Sequence, residues 1–154
     1  TLEEEVNHVR SYLEIQQSRY RDILDYEINV PSDLYDSKVP KLTLQPLVEN
    51  ALYHGIKNKR GKGRIDVLAK TDQNNLILVV TDNGIGMEED VLSKLRTSIN
   101  TGNKIGFGLT NVQERIRLYY GNKFGLNIQS EYGTGTVVTV CIPLEKIDQT
   151  KHDS

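Results

Sequence analysis

The chain has 154 residues, with 19 basic and 21 acidic side chains, a formal net charge of −2 and one cysteine. This length suits a single domain with a substantial core, and the balanced charge argues against a surface built to bind nucleic acid. Cys141 cannot form an internal disulfide and lies in an apolar, strand-like run, so we expect a buried thiol in a reducing, intracellular setting. No apolar stretch is long enough to cross a bilayer.

The first segment, residues 1–20, predicts an amphipathic helix. Apolar side chains recur there at helical spacing, and Thr1 and Glu4 have the spacing of a capping box. The chain does not begin with methionine, and its one methionine is Met87. We therefore expect a piece of a longer protein.

The next elements are a strand and a second helix. Residues 24–30 alternate apolar and polar side chains, which predicts a half-buried strand. From residue 44 apolar side chains return at helical spacing, which predicts a helix that ends near His54 with Gly55 as its terminator. Pro46 fits this helix only in the first turn, where its missing N–H costs nothing.

Two hairpins are predicted in the remaining chain. Residues 64–71 and 76–82 are strand-like and flank a polar turn, and residues 125–144 turn at the Gly133–Gly135 segment. Between the hairpins, residues 83–107 are glycine-rich around one short helical piece, residues 87–95. A connection of this length is usually functional.

A helix over residues 108–121 completes the predicted elements. Its inward positions are expected to be Leu109, Val112, Ile116 and either Leu118 or Tyr119, with Gly121 ending the helix. The polar residues 146–154 are expected to be a disordered tail. The predicted fold class is α+β, an α/β sandwich with a mixed, mainly antiparallel sheet and helices on one face.

Three glycine and amide clusters stand apart from this scaffold: LVENALYHG on a helix, DNGIG after a strand and GFGLTN at a helix start. Their order and spacing resemble the N, G1 and G2 boxes of the GHKL nucleotide-binding superfamily. The flanking LQPLVEN and ERIRLYYG most resemble sensor histidine kinases of the YesM/LytS-like group. The resemblance runs from Leu2 to about Leu144 and implies the GHKL fold, with the catalytic ATP-binding domain in residues 21–145. It also implies that the helix of residues 1–20 leads from a dimerisation and phosphoacceptor region that precedes Thr1.

The resemblance assigns the adenine end to DNGIG. Asp82 matches the acid that accepts a hydrogen bond from the exocyclic amine of adenine, and guanine carries an acceptor at the corresponding position. Gly84 and Gly86 lack Cβ atoms, so we expect the backbone to adopt positive φ and lie against the base. An ordinary turn after a strand is the alternative for this motif taken alone.

The resemblance assigns the phosphate end to GFGLTN, because a helix N-terminus with accessible N–H groups suits an anion. Lys104 could reach a phosphate oxygen or face water, and residues 87–105 match a mobile lid over ATP. A flexible loop before a helix is the alternative. Besides Asp82, Gly84 and Gly86, the expected cofactor-binding residues are Lys104, Gly106, Phe107, Gly108, Leu109 and Thr136.

Asn50 is the residue that the resemblance assigns to Mg²⁺, since one amide oxygen plus phosphate oxygens can hold that ion. An amide that crosses to another helix is the alternative. Glu49 is expected to accept a proton or support the site, or else to be a solvated acid. His54 lies one helical turn after Asn50 and is expected to point toward the phosphates, with a structural histidine as the alternative.

Two positions depart from the wider superfamily. ATP-hydrolysing members carry a water-activating glutamate where this chain has Pro46, which disfavours hydrolysis and favours phosphoryl transfer to a protein. Many kinases carry a basic residue where this chain has Tyr53. Phosphate neutralisation is then expected from Lys57, Arg60 or Lys104, unless the basic loop is only solvated.

The function implied by the resemblance is that of an enzyme, a protein-histidine kinase that binds Mg-ATP. The γ-phosphoryl is expected to go to a histidine outside this chain and then to a response-regulator aspartate. Expected partners are ATP, the dimerisation and phosphoacceptor domain and the response regulator, in a homodimer attached to a bacterial plasma membrane, with this domain in the cytoplasm. A serine protein kinase of the anti-sigma type and a purely regulatory nucleotide-binding module are the alternatives.

Overall fold

The computed structural model describes residues 1–19, 24–56, 61–101 and 107–147, and within them a five-stranded sheet packs against four α-helices. The strands are β1 (Leu24–Asn29), β2 (Gly63–Asp72), β3 (Asn75–Asp82), β4 (Gly125–Glu131) and β5 (Gly135–Pro143). The helices are α1 (Leu2–Arg19), α2 (Leu44–Asn50), α3 (Glu89–Thr101) and α4 (Phe107–Tyr120). A 3₁₀ turn spans Ser32–Leu34, and a π-helix, Ala51–Ile56, continues α2.

The sheet is mixed and mainly antiparallel, as the sequence predicts. The strand order is β1-β2-β3-β5-β4, with β1 parallel to β2 and every other neighbouring pair antiparallel. Along β3 and β5 buried side chains alternate with half-buried ones. Because alternate side chains point to opposite faces, the helices cover one face of the sheet and leave the other partly exposed.

The helices bury the apolar positions that their spacing predicts. The capping box of α1 is confirmed, since the Glu4 N–H donates to Thr1 Oγ1 at 3.2 Å. Pro46 lies in the first turn of α2, where the sequence places it. The core residues of the helical layer include Leu2, Val6, Val9, Leu13, Leu44, Leu47, Val48, Ala51, Leu52, Leu109, Val112 and Ile116.

The prediction that Gly55 ends the second helix is wrong. Helical structure continues through Gly55 to Ile56 as a π-helix. A Cβ on Gly55 would lie 2.6 Å from Asp82 Oδ1, and the Gly55 carbonyl accepts the Ile85 N–H at 3.3 Å. Glycine is therefore required at position 55 by close packing against the end of the sheet and not by helix termination. π-Helical turns, where they occur, are frequently found at functional sites.

The short helical piece predicted at residues 87–95 is also wrong in extent, because α3 begins at Glu89 and ends at Thr101. Its second half is held by neighbours that lie far along the chain. Arg96 donates to the Ile128 carbonyl on β4, and Arg117 of α4 donates to the Asn100 carbonyl at 3.1 Å. Residues 102–105 of the expected lid lie outside the described residues.

The prediction of Leu118 or Tyr119 as an inward residue of α4 is wrong, because both are exposed. Tyr120 packs against the core instead, with its ring 6.2 Å from that of Phe124. Gly121 ends the helix as predicted, and its φ of +92° suits a C-terminal glycine.

Cys141 lies in β5 as expected, but the prediction of a buried thiol is wrong because the residue is half-buried. It faces away from the helices, since its neighbours Val140 and Ile142 are the core residues. Partial burial raises the pKa of the Cys141 thiol, which lowers its thiolate fraction at neutral pH.

The first residues of the expected tail are paired with the connector after β1. The Ile147 N–H donates to the Asp36 carbonyl at 3.0 Å, and Lys146 donates to Asp36 Oδ1 at 2.7 Å. This hydrogen bond lowers the pKa of the Asp36 carboxyl. The rest of the expected tail, residues 148–154, lies outside the described residues.

A buried carboxylate joins the first two helices. Glu5 of α1 is only 8% exposed, and its two oxygens accept the Thr43 N–H at 3.4 Å and the Leu44 N–H at 3.1 Å. These N–H groups belong to the start of α2, which has no side-chain cap of its own. Glu5 therefore satisfies the first turn of α2 from a different helix and complements its dipole.

We predict that Glu5→Ala lowers the free energy of unfolding by about 2 kcal/mol, because it leaves the start of α2 without acceptors. Urea unfolding followed by circular dichroism measures the change. Glu3→Ala, an exposed acid in the same turn of α1, is the matched control and should change stability by less than about 0.5 kcal/mol. Equal losses for the two variants would show that Glu5 does not hold α2.

Candidate functional site

A cavity of about 860 Å³ opens at the end of β3. The π-helical end of α2, the loop after β3, α3, the start of α4 and the β4–β5 turn contribute its walls. The lining residues are Pro46, Glu49, Asn50, Tyr53, His54, Gly55, Asp82, Ile85, Gly86, Met87, Glu88, Val91, Lys94, Leu95, Gly108, Leu109, Tyr132 and Thr136. The three glycine and amide clusters of the sequence therefore meet at one cavity.

Asp82 lies at the base of this cavity with 5% of its surface exposed. Its Oδ1 accepts the Gly84 N–H at 2.9 Å, which fixes the carboxylate in a turn. Its neighbours on two sides are glycine backbones. A Cβ on Gly55 would lie 2.6 Å from Asp82 Oδ1, and one on Gly135 would lie 2.0 Å from the Asp82 carbonyl oxygen.

Gly84 and Gly86 are required for different reasons. Gly86 has a φ of +69°, as the sequence predicts, and its Cα packs against the Glu131 carbonyl. The expectation of positive φ at Gly84 is wrong, because Gly84 is not among the described residues with that conformation. Gly84 instead packs on Gly55, since a Cβ there would lie 2.2 Å from the Gly55 carbonyl carbon. Both positions therefore require glycine, because Gly84 packs on the backbone of Gly55 and Gly86 packs on the backbone of Glu131.

The β4–β5 turn is fastened to the loop after β3. The Gly133 N–H donates to the Ile85 carbonyl at 2.6 Å, and the Met87 N–H donates to Ser130 Oγ at 2.8 Å. Ser130 Oγ also lies 2.8 Å from Thr136 Oγ1. Thr136 is the register partner of Asp82, so this network links both strands that form the base of the cavity.

The α2 side of the cavity carries the predicted polar residues. Glu49 and Asn50 are half-buried, His54 is exposed, and all three line the cavity. Gln45 Nε2 donates to Glu49 Oε1 at 3.1 Å, which orients the carboxylate. Tyr53, where many kinases have a basic residue, also lines the cavity.

The start of α4 forms the remaining wall. Gly108 and Leu109 line the cavity, and a Cβ on Gly108 would lie 3.2 Å from Pro46 Cβ. The positive end of the dipole of this 14-residue helix is thus directed at the cavity. Lys104, Gly106, Lys57 and Arg60 lie outside the described residues, and the side chain of Phe107 is not described.

Among the described residues that line the cavity, the charged side chains are mostly acidic. Glu49, Asp82 and Glu88 line the cavity together with one described lysine, Lys94 of α3. Sequence reasoning missed Lys94 and Tyr132, although Glu88, Val91 and Lys94 have the three-residue spacing of one helical face. These described acidic side chains by themselves would repel a polyanion unless a cation accompanied it. Across the described ranges there is no cluster of three acidic, histidine or cysteine side chains that could hold a metal unaided.

Comparison with known protein families identifies the family of this chain. The sequence profile of the family described as histidine kinase-, DNA gyrase B- and HSP90-like ATPase matches residues 36–146. The chain belongs to this ATPase family. Among the described residues, no helix is both long and apolar enough to span a membrane.

The similar proteins are sensor proteins of bacteria. The chain is 36% identical over 143 residues to the sensor histidine kinase YesM of Bacillus subtilis, covering 93% of this chain and 24% of that protein. It is 34% identical to the sensor protein LytS of Staphylococcus saprophyticus, covering 100% of this chain and 26% of that protein. The chain therefore spans about a quarter of the length of these relatives.

Solved structures share the fold at lower identity. The catalytic domain of histidine kinase ThkA superposes with a TM-score of 0.67 at 16% identity, covering 93% of this chain and 92% of that one. The histidine kinase domain of the Erythrobacter litoralis blue-light activated kinase gives 0.65 at 20% identity, covering 93% and 61%. These likenesses confirm the predicted α/β sandwich.

We predict that Gly84→Ala lowers the free energy of unfolding by about 2–3 kcal/mol, because the added methyl group meets the backbone of Gly55. Chemical denaturation measures the change. Gly61→Ala is the matched control: its φ is +92°, but nothing lies within 4 Å of an added Cβ, so the cost should be about 1 kcal/mol. If both substitutions cost the same, crowding at Gly84 is not the reason for the glycine.

Proposed function

We propose that the chain is the catalytic ATP-binding domain of a sensor histidine kinase. This proposal rests mainly on one observation: the buried carboxylate of Asp82 and the N-terminus of α4 line the same cavity. A carboxylate suits the amino edge of adenine, and a helix N-terminus suits phosphate. Membership of the ATPase family and the histidine kinase names of the relatives support this assignment.

In this proposal Asp82 accepts a hydrogen bond from the exocyclic amine of adenine. Its fixed position follows from the Gly84 N–H that it already accepts and from the glycine backbones around it. Guanine would present an oxygen to the carboxylate, and two acceptors facing each other in a buried site are unfavourable. Asp82 therefore supplies selectivity for adenine, and Thr136 on the adjacent strand completes that end.

The donor set at the α2 end fits Mg²⁺. Asn50, which carries an amide oxygen, and Glu49 beside it, which carries a carboxylate, both line the cavity. Mg²⁺ binds through one or two protein oxygens together with phosphate oxygens and waters, so no complete protein cage is needed. The ion, when bound, would offset phosphate charge. Asn50 would orient it, and Lys94 would contribute a second positive charge opposite.

The proposed reaction is phosphoryl transfer to a histidine outside this chain. A phosphorus–nitrogen bond to the imidazole forms as the bond between the γ-phosphorus and the β–γ bridging oxygen breaks, and ADP leaves. Pro46 lines the cavity where the hydrolysing relatives carry a base, and proline cannot activate water. Glu49 and His54 remain as groups that could hold a proton near the γ-phosphate.

The partners and location follow from the same assignment. We expect the acceptor histidine on a dimerisation domain that is not part of this chain, in a homodimer. The phosphoryl group would then pass to an aspartate of a response regulator. In the full-length protein this domain would lie on the cytoplasmic side of the bacterial plasma membrane.

We predict unequal losses of nucleotide binding for two substitutions. Asp82→Asn should weaken ATP binding about tenfold or more and remove the preference for ATP over GTP, because the charged acceptor is lost. Asn50→Ala should leave ATP binding without magnesium nearly unchanged but remove the gain in affinity that magnesium gives. Isothermal titration calorimetry with and without Mg²⁺ measures both effects.

The matched control is Asp72→Asn, which changes an exposed aspartate at the end of β2 and should leave ATP affinity unchanged. Negligible effects of both site substitutions would contradict the assigned roles. Failure of the unaltered chain to bind ATP at all would defeat the proposed function itself.

We predict that the chain, incubated with γ-labelled ATP and a histidine-bearing acceptor segment from the full-length protein, labels that segment. The label should be acid-labile and base-stable, as expected for phosphohistidine, and absent from the chain itself. The control is the same segment with its histidine replaced by glutamine, which should stay unlabelled. Acid-stable label would indicate a serine kinase, and tight ATP binding without any label would indicate a regulatory module.

A further inference from the structure

Tyr132 is an aromatic residue of the cavity that neither the motifs nor the proposed chemistry uses. It lies in the turn between β4 and β5, is 64% exposed and lines the cavity. A large exposed aromatic ring at the mouth of a cavity offers apolar area that a ligand can cover. Its position therefore suggests contact with whatever occupies the cavity.

The backbone on both sides of Tyr132 is held against the loop after β3. The Gly133 N–H donates to the Ile85 carbonyl at 2.6 Å. On the other side, the Glu131 carbonyl packs on Gly86 so closely that a Cβ there would lie 2.0 Å from its oxygen. Tyr132 is thus presented from a fixed turn, which lowers the entropy cost of using its ring in binding.

Tyr132 lies at the same end of the cavity as Asp82. The loop that its turn contacts, Ile85 to Met87, follows Asp82 directly, and Thr136 of the same hairpin is the register partner of Asp82. Ile85 and Met87 line the cavity beside it. Apolar and aromatic side chains around one buried carboxylate form a cleft suited to a planar, amino-bearing ring.

We infer that Tyr132 forms the outer wall of the purine end and that its ring packs on the bound base. This inference rests on the proposed function and deepens it. Every nucleobase has a π-face, so stacking raises affinity without selecting the base. Tyr132 therefore supplies affinity for the nucleoside part of the ligand, whereas selectivity for adenine lies with Asp82.

The first experiment compares Tyr132→Ala and Tyr132→Phe with the unaltered chain by calorimetry. Tyr132→Ala should weaken Mg-ATP binding about fivefold to tenfold, while Tyr132→Phe, which keeps the ring, should stay within about twofold. Competition with GTP should show an unchanged ATP-to-GTP preference in Tyr132→Ala. Binding of magnesium tripolyphosphate, which has no base, should not change.

The matched control is Tyr119→Ala. Tyr119 is 66% exposed, much like Tyr132, but lies on α4 and does not line the cavity. Its removal should leave the affinity for ATP unchanged. Thermal unfolding of each variant without ligand shows whether the folded state is retained, and Tyr132→Ala should unfold within a few degrees of the unaltered chain because the ring is exposed.

A second measurement does not depend on the stability of an alanine variant. The chain has no tryptophan, so Tyr132→Trp introduces a single fluorophore at the proposed wall. Its emission should change saturably with ATP, with the same midpoint as calorimetry, and tripolyphosphate should produce a much smaller change. Tyr119→Trp should give no saturable change.

The outcomes separate the two proposals. If the unaltered chain does not bind ATP, the proposed function fails and this inference fails with it. If the unaltered chain binds ATP while Tyr132→Ala binds it equally well and the Tyr132→Trp emission stays constant, only this inference is overturned. Equal losses for ATP and tripolyphosphate in Tyr132→Ala would also overturn it, because stacking on the base would not explain them.

Discussion

The structure of the site depends on how closely three glycine backbones approach Asp82. Gly55 lies against its carboxylate, Gly84 donates to that carboxylate, and Gly135 lies against its carbonyl. A side chain at any of these glycines would separate the π-helix, the loop or β5 from the end of β3. Buried carboxylates are stable only when neighbours satisfy them, and the backbone N–H of Gly84 is one such neighbour of Asp82. The same packing that stabilises Asp82 also holds the elements that line the cavity.

The N-termini of α2 and α4 are used in opposite ways. The first turn of α2 is occupied by the Glu5 carboxylate of the protein itself. The start of α4 has Gly108 and Leu109 on the cavity wall instead. Both ends carry positive dipole character, so one is satisfied internally and the other remains directed at the cavity. This division explains how a cavity whose described charged side chains are mostly acidic retains one region suited to an anion.

Helix α3 forms one wall of the cavity, and hydrogen bonds hold it at two points. Arg96 donates a hydrogen bond to the Ile128 carbonyl on the edge strand β4, and Arg117 of α4 donates one to the Asn100 carbonyl in the last turn of α3. Ser98 and Ile99 are buried between these anchors. Lys94 therefore belongs to a packed helix rather than to a loose connection, and its backbone is held where the charge can act on the cavity.

Local sequence patterns determined most of the secondary structure and the identity of the motif residues. Alternation predicted β1, strand-like runs on either side of turns predicted β3 and β5, and helical spacing predicted α1 and α2. Asp82, Asn50 and Gly108 were predicted as site residues because motifs depend on residue type and spacing. The structure brings these three residues to one cavity.

The sequence did not predict the features that depend on residues distant along the chain. Packing between elements decides the π-helical course through Gly55 and the length of α3. It also decides that Leu118 and Tyr119 are exposed and that Lys94 and Tyr132 line the cavity. The sequence by itself thus determined which residues belong to the motifs, and only the tertiary structure decided which of them line one cavity, because contact across tens of residues is set by packing and not by local spacing.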